Sequence, residues 1–332
     1  MTATQKQNTT MVSSLPSLSP VQHRALDVLA LGEALIEFNQ TQSEPPMYLQ
    51  GFGGDTSNAI IAAARAGART AYLTRVGDDG WAERLIKLWQ AEGVATQGVL
   101  RQKGQRTGLY FVHHDESGHH FSYARTGSAA SLMSVEDVHS HWVNLIGQSH
   151  WLHLSGISLA LSGSACDAAF AAMQTARHKG TRVALDTNLR LSLWPLSQAR
   201  DTLVRAMAHC DVLLPSLDDM VQLIGPSEPE AVARWCHAQG VQTVVLKLGA
   251  QGALISHEGS MSLVPGLPVQ ALDATGAGDC FCGNFLARLV AGDDLIQAAR
   301  WANAAAALSV QGRGAIAPLP YAEQVRDALT RR

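Results

Sequence analysis

The stretch Asp273-Ala274-Thr275-Gly276-Ala277-Gly278-Asp279 runs straight into Cys280-Phe281-Cys282-Gly283-Asn284-Phe285-Leu286, so a turn of small residues opens an apolar helix and carries a carboxylate at the junction. Glycines at 276 and 278 let backbone N–H groups converge on one point, and the first turn of the helix adds its partial positive charge there. Phe281, Phe285 and Leu289 recur every four residues, which buries one helix face and holds the turn rigid. The amides from Gly276 through Ala277 to Gly278 therefore read as an anion hole, with Asp279 beside it. A carboxylate there can take the proton of a bound hydroxyl while the oxygen attacks a phosphoryl group whose charge the hole stabilises. The plain alternative is a loop ending in a capping Asp, which serves many helices.

Asp-x-x-Gly-Ala-Gly-Asp before a small, apolar helix resembles the C-terminal signature of the ribokinase-like (PfkB) carbohydrate kinases. A second block, Gly53-Gly54-Asp55-Thr56-Ser57-Asn58 through Ala66-Gly67, followed by Arg75-Val76-Gly77-Asp78-Asp79-Gly80, is similar to the N-terminal signature of that family. The resemblance runs from about Leu26 to about Pro318. It implies an α/β, ribokinase-like three-layer sandwich with a mostly parallel central sheet and a small antiparallel β lid. It also implies ATP-dependent phosphoryl transfer with Asp279 as general base, the Gly276 to Gly278 turn at the phosphates, and Gly54 and Asn58 on sugar hydroxyls.

Two further segments narrow the substrate. Tyr123-Ala124-Arg125-Thr126-Gly127-Ser128-Ala129 resembles the Tyr-x-Arg-x-Gly-Ser-Ala segment of the 2-keto-3-deoxygluconate kinases within this family, and Asp186-Thr187-Asn188-Leu189-Arg190-Leu191-Ser192-Leu193-Trp194 is similar to their Asp-x-Asn-x-Arg-x-x-Leu-Trp block. Guanidinium groups reward an acid sugar, because they hold carboxylates by paired charge-assisted hydrogen bonds. The resemblance thus implies Arg125 and Arg190 at the carboxylate, with Tyr110 and Tyr123 on the lid side. Otherwise Arg125 is a solvated edge-strand charge and Arg190 a cap or surface ion pair.

The nucleotide side rests on weaker segments. Lys247-Leu248-Gly249-Ala250-Gln251-Gly252 resembles the family's Lys-x-Gly-x-x-Gly turn, which implies ATP contacts at Lys247, Gly249 and Gly252; as a bare motif it is a Gly-rich turn. Asn303 matches the position where a small-residue helix approaches the adenine, the alternative being a packing Asn on an Ala-rich helix. Many relatives carry Asn-x-x-Glu near the magnesium shell, and here Ser216 and Asp219 stand at those positions. Asp219 keeps the hard oxygen that Mg²⁺ prefers, reached through water, on a side chain one methylene shorter. The Asp273 loop is expected, as in several relatives, to hold a monovalent cation such as K⁺. The chain has neither a GxxxxGK[ST] loop nor a GxGxxG opening a helix near the first strand, which disfavours P-loop kinases and dinucleotide-dependent dehydrogenases.

Composition bounds the alternatives. A net charge of −3 over 332 residues argues against a general nucleic-acid or membrane surface, so an anionic substrate must be met by local Arg, Lys and helix N-termini. The 5 cysteines show no CxxC spacing, pointing to reduced thiols and a cytoplasmic protein, and a homo-oligomer is the expected assembly. Residues 1–24, rich in Ser, Thr and Gln, read as a disordered tail before a single kinase domain over 25–330. His113, His114, His119 and His120 flank Asp115 and Glu116, but no further ligands follow at a zinc-like spacing. A solvated hairpin tip is the preferred reading there. Two functional alternatives remain: a kinase of the same fold for fructose or another neutral sugar, and a sugar-acid-binding regulator without turnover.

The elements that must position these residues follow from periodicity. Apolar runs at 26–31, 70–76, 151–154, 182–186, 212–214 and 243–248 alternate with helical patterns at 58–66, 81–89, 164–178, 197–209 and 231–238, and helices start from Asp279 and Asp294. Thr107 to His114 and His119 to Arg125, joined by Asp115-Glu116-Ser117-Gly118, read as a hairpin. With the segment 37–52 it forms the expected lid, whose segments span about 36–53 and 105–127. Phe121, Tyr123 and Arg125 share one face of that hairpin by the period of two.

Overall fold

The computed structural model of the chain describes residues 24–115 and 118–331. Almost all of the expected N-terminal tail, residues 1–23, and the hairpin-turn residues Glu116 and Ser117 therefore lie outside the described residues. Arg24 is already fastened to the folded part, its Nη1 donating to the Ser149 carbonyl at 2.7 Å and to Thr181 Oγ1 at 2.6 Å.

Continuous apolar runs suit strands covered on both faces, and the central sheet is built from them. The strands that meet in it are β1 (Leu26–Leu31), β4 (Thr70–Val76), β5 (Val94–Ala95), β6 (Val99–Arg101), β9 (Ser149–Ser155), β10 (Arg182–Asp186), β11 (Val212–Leu213), β12 (Thr243–Lys247), β13 (Gly252–His257) and β14 (Ser260–Pro265). The order is β14-β13-β12-β11-β10-β9-β1-β4-β5, with β6 also paired to β4. Pairings from β12 through β4 are parallel, while the β12–β13 and β13–β14 pairs are antiparallel. This terminal hairpin was not legible beforehand, because its entry is the Gly249 to Gly252 turn that the resemblance assigns to phosphates.

Helices cover both faces. On one side lie α1 (Asp55–Arg65), α2 (Gly80–Ala91), α7 (Ala277–Val290), α8 (Leu295–Ser309) and α9 (Ala322–Thr330); on the other lie α3 (Gly163–Lys179), α4 (Leu196–Met207), α5 (Leu217–Ile224) and α6 (Pro229–Ala238). Boundaries agree with the periodicity to within a few residues, as fraying helix ends allow. Caps mark several starts: Asp79 accepts from the amides of Trp81 and Ala82, and Asp294 forms a capping box with Gln297. Trp89 and Trp142 are fully buried, whereas Trp81 packs edge-on against lid residue Phe38 at 5.4 Å.

The lid is a separate four-stranded sheet of β2 (Leu35–Gln42), β3 (Met47–Gly53), β7 (Gly108–Asp115) and β8 (Gly118–Ala124), ordered β3-β2-β7-β8. Its two hairpins are antiparallel, as expected, but the β2–β7 seam that joins them is parallel. The reason is connectivity: β3 returns to the core as α1, and the chain re-enters the lid from the same side as β2. Tyr110 and Tyr123 are directly opposite each other across β7 and β8, and their rings stack at 5.9 Å.

Candidate active site

At the N-terminus of α7, Gly276 has φ +75, a left-handed backbone that glycine adopts without strain. Asp273 braces the turn before it: Oδ1 accepts from the Thr275 amide at 2.9 Å and the Thr275 hydroxyl at 2.6 Å, and Oδ2 accepts from the Gly314 amide at 2.9 Å. The Ala277 amide closes the turn onto the Ala274 carbonyl at 3.2 Å, and Gly278 follows in the first turn of α7. Above it stands a cation, since a Cβ on Gly278 would lie 3.5 Å from Lys247 Nζ.

Asp279 follows in the same turn. Its carboxyl is pushed up to about 7, first by burial, then by the charges of Asp55 and Asp186, against the opposing hydrogen bond from Asn58 and the charge of Lys247. Asn58 Nδ2 donates to Asp279 Oδ2 at 2.9 Å. The residue expected at sugar hydroxyls thus holds the Asp279 carboxyl. That contact requires α1 and α7 to touch backbone to backbone: a Cβ on Gly283 would lie 2.0 Å from the Ala59 carbonyl oxygen. Gly54, the residue capping α1, has φ +110, and a Cβ there would lie 2.4 Å from the Glu33 carbonyl.

Several carboxylates converge on this point that sequence reasoning did not assign. Asp55, first residue of α1, accepts from Ser155 Oγ and from Asn188 Nδ2 at 3.2 Å, and burial raises its carboxyl. Asp186, at the end of β10, pairs with Lys247 Nζ at 2.7 Å. Burial alone would lower the Lys247 ammonium, but the charge and hydrogen bond of Asp186 more than restore it and keep it protonated. The signal is present in Gly53-Gly54-Asp55 and Asp186-Thr187-Asn188, where each aspartate stands beside the residues that the motifs single out.

Among the residues expected at the nucleotide, Ser216 caps α5 by accepting from the Asp219 amide at 3.1 Å. Asp219 Oδ2 accepts from Thr187 Oγ1 at 3.0 Å, and its carboxyl is raised by burial and by Asp186. Gly249 and Gly252, with φ +57 and +104, shape the turn into β13; a Cβ at Gly252 would lie 2.1 Å from the Val264 carbonyl. Asn303 spends Nδ2 on the carbonyls of Val264 and Pro265, at 3.0 and 3.2 Å, which ties α8 to β14. Among the described residues no group of three or more His, Cys, Asp or Glu is placed to hold a metal by itself. Magnesium nonetheless fits the donors. Asp219 and Asp186 supply hard oxygens beside a single lysine, and this cation commonly completes its shell with water and phosphates.

Among the residues expected at the sugar, the Tyr110 hydroxyl donates to buried Glu37. Tyr123 is 48% exposed and presents its ring. Arg125 is not a solvated charge: its guanidinium pairs with buried Glu33 and lies 5.7 Å over the Tyr123 ring. Arg190 is exposed on the loop after β10, and Nη1 donates to the Leu189 carbonyl at 2.8 Å. At the hairpin, His114 Nε2 is 2.7 Å from Asn39 Oδ1 and His113 Nδ1 is 3.3 Å from the Tyr48 hydroxyl.

Comparison with known proteins decides the family. Residues 25–322 match the profile of the pfkB family carbohydrate kinases. The chain belongs to this family. It is 37% identical over 313 residues to the 2-dehydro-3-deoxygluconokinase of Thermoproteus tenax, covering 92% of this chain and 94% of that protein. It is 30% identical over 313 residues to fructokinase-1 of Zea mays, covering 90% and 96%. A putative ribokinase II from E. coli, solved in complex with ATP and Mg²⁺, superposes with a TM-score of 0.84 at 26% identity, covering 92% of this chain and 99% of that one. The protein is therefore a carbohydrate kinase with a ribokinase-like fold, and no described helix is long and apolar enough to cross a membrane.

Proposed function

We propose that this kinase transfers the γ-phosphoryl group of ATP to the terminal hydroxyl of 2-keto-3-deoxygluconate (2-dehydro-3-deoxygluconate), giving the 6-phosphate. Asp279 takes the hydroxyl proton as the oxygen bonds to the γ-phosphorus, and the bond from that phosphorus to the bridging oxygen breaks with its electron pair leaving on ADP. The charge that builds on the equatorial oxygens is met by the first-turn amides of α7 and by Lys247. Asn58 keeps the base aimed, Gly54 lets the backbone approach the sugar, and Tyr110 and Tyr123 cover its ring. Asp219 would hold Mg²⁺ through water, and the ion would supply charge neutralisation of the phosphates. The roles of Ser216, Gly249, Gly252 and Asn303 toward ATP are those of shaping the nucleotide wall. A K⁺ ion at the Asp273 loop, a homo-oligomeric assembly and a cytoplasmic location belong to the same reading.

The observation that carries the choice of substrate is Arg190. Its guanidinium is exposed two residues beyond Asn188, whose side chain reaches Asp55 at the cleft. A guanidinium that keeps donors beyond the one given to the Leu189 carbonyl rewards a carboxylate beside the sugar. Arg125, paired with Glu33 through Nη2, brings its other donors to the same carboxylate; a neutral sugar such as fructose is the second reading, favoured by the 30% identity to fructokinase-1 of Zea mays. Turnover of 2-keto-3-deoxygluconate and fructose, compared at equal ATP and Mg²⁺, tests the proposal. A kcat/KM at least about 100-fold higher for the acid sugar is expected, the worth of one or two charged hydrogen bonds. Equal values, or a preference for fructose, would sink it.

A further inference from the structure

Four stretches of chain pass between the central sheet and the lid: 32–34, 53–55, the entry to β7 near 108, and 124–128. Glu33 lies in the first and meets the other three. Its carbonyl oxygen would be 2.4 Å from a Cβ on Gly54, and its Oε1 would be 2.8 Å from a Cβ on Gly108. Ser128 Oγ donates to Oε1, and Arg125 Nη2 pairs with Oε2. The Ser128 amide also closes a turn onto the Arg125 carbonyl at 2.9 Å, through Gly127 at φ +69. The Glu33 side chain is 1% exposed and that of Arg125 12%, so the pair is shielded from screening water.

We propose that Glu33 is a positioning residue for substrate charge: it grips the Arg125 guanidinium by one edge, so that the other N–H donors face the carboxylate of the acid sugar. This rests on the reading of Arg125 as a carboxylate contact. A free arginine has many rotamers, and this one also feels the attraction of Asp55 across the cleft. Glu33 removes that freedom by fixing Nη2. Burial pushes the Glu33 carboxyl up while Arg125 and Ser128 push it back, so the ionised grip depends on both partners. Because every passage into the lid touches this one residue, the same grip sets the root of the lid against the core.

The test is a double-mutant cycle read in KM and kcat with 2-keto-3-deoxygluconate, with KM for ATP as the internal control. Glu33→Gln keeps size and one acceptor but removes the charge. It should raise KM for the acid sugar at least fivefold, with kcat changed less than threefold and KM for ATP unmoved. Added to Arg125→Ala it should raise KM no further, and it should restore part of the melting temperature that Arg125→Ala loses by leaving Glu33 unpaired. A KM within twofold of native for Glu33→Gln, a lower KM, or an effect that adds to that of Arg125→Ala would overturn the proposal. If Arg125→Ala itself leaves the acid-sugar KM unchanged, the assignment of Arg125 fails instead, and the two failures are told apart. Should Glu33→Gln not fold, Ser128→Ala removes the second anchor; a two- to threefold rise in KM is expected, and no change refutes the role of Glu33.

Discussion

At the scale of single residues, the site is organised around a carboxylate whose protonation is set by its neighbours. With Asp279 pushed up to about 7, kcat/KM for the sugar should fall about tenfold per pH unit below that value and level off above it, because only the ionised base accepts a proton. A profile flat from pH 5 to 8 would remove Asp279 as the base. Asp279→Asn should lower kcat at least about 100-fold while leaving Kd for both substrates within about tenfold. Its stability has a definite sign. A carboxyl raised above its ordinary value of 3.8 contributes stability when protonated, and that contribution is lost as pH rises through about 7. The permanently neutral Asn keeps it, so thermal unfolding at pH 8 should occur at or above the native temperature. The two arginines should separate in the same way. Arg125→Ala strands buried Glu33 and should cost about 3–5 kcal/mol of stability, whereas Arg190→Ala, at an exposed position, should raise the acid-sugar KM and leave the melting temperature unchanged.

At the scale of elements, the proposed role of Asp279 makes catalysis sensitive to how closely α1 and α7 cross. Gly283 packs against the Ala59 carbonyl with no room for a methyl group, and that approach brings Asn58 to Asp279. Gly283→Ala should therefore push the helices apart, cost about 1–3 kcal/mol by overpacking, and lower kcat more than it raises either KM. Denaturant unfolding and steady-state kinetics measure both. A variant that loses stability but keeps native kcat would uncouple the crossing from the base. Gly108 and Gly54 show the same logic at the lid root, where side chains are excluded by Glu33 rather than by a helix.

At the scale of the whole molecule, two bodies of different character meet at the cleft. The central sheet is covered by helices on both faces, while the lid exposes Met47, Leu49, Phe121 and Tyr123. A lid with so little burial of its own can move relative to the core, and closure over the sugar would exclude water from the transferring phosphoryl group. Hydrogen exchange should thus show stronger protection of residues 107–125 when 2-keto-3-deoxygluconate is bound. Equal protection with and without sugar would exclude the lid from the mechanism.

What the chain alone determined is whatever lies within a few residues along it. The turn from Asp273 to Asp279 and its apolar helix are contiguous, so the left-handed turn at Gly276, the carboxylate in the first helical turn and the buried support were all legible together. Strands and helices of the α/β core were legible for the same reason, since burial on two faces leaves a local apolar pattern. Tertiary structure decided which of those groups are already spent. Asn58 and Asp279 are 221 positions apart, and Lys247 and Asp186 are 61 apart. No local pattern encodes such pairs; they exist because α1 and α7 cross without side chains between them and because β10 and β12 flank β11 and end on the same edge of the sheet. The parallel seam of the lid and the Glu33–Arg125 pair are of this kind too. A buried donor or charge takes the partner that topology brings within reach, and that choice is made only when the chain is folded.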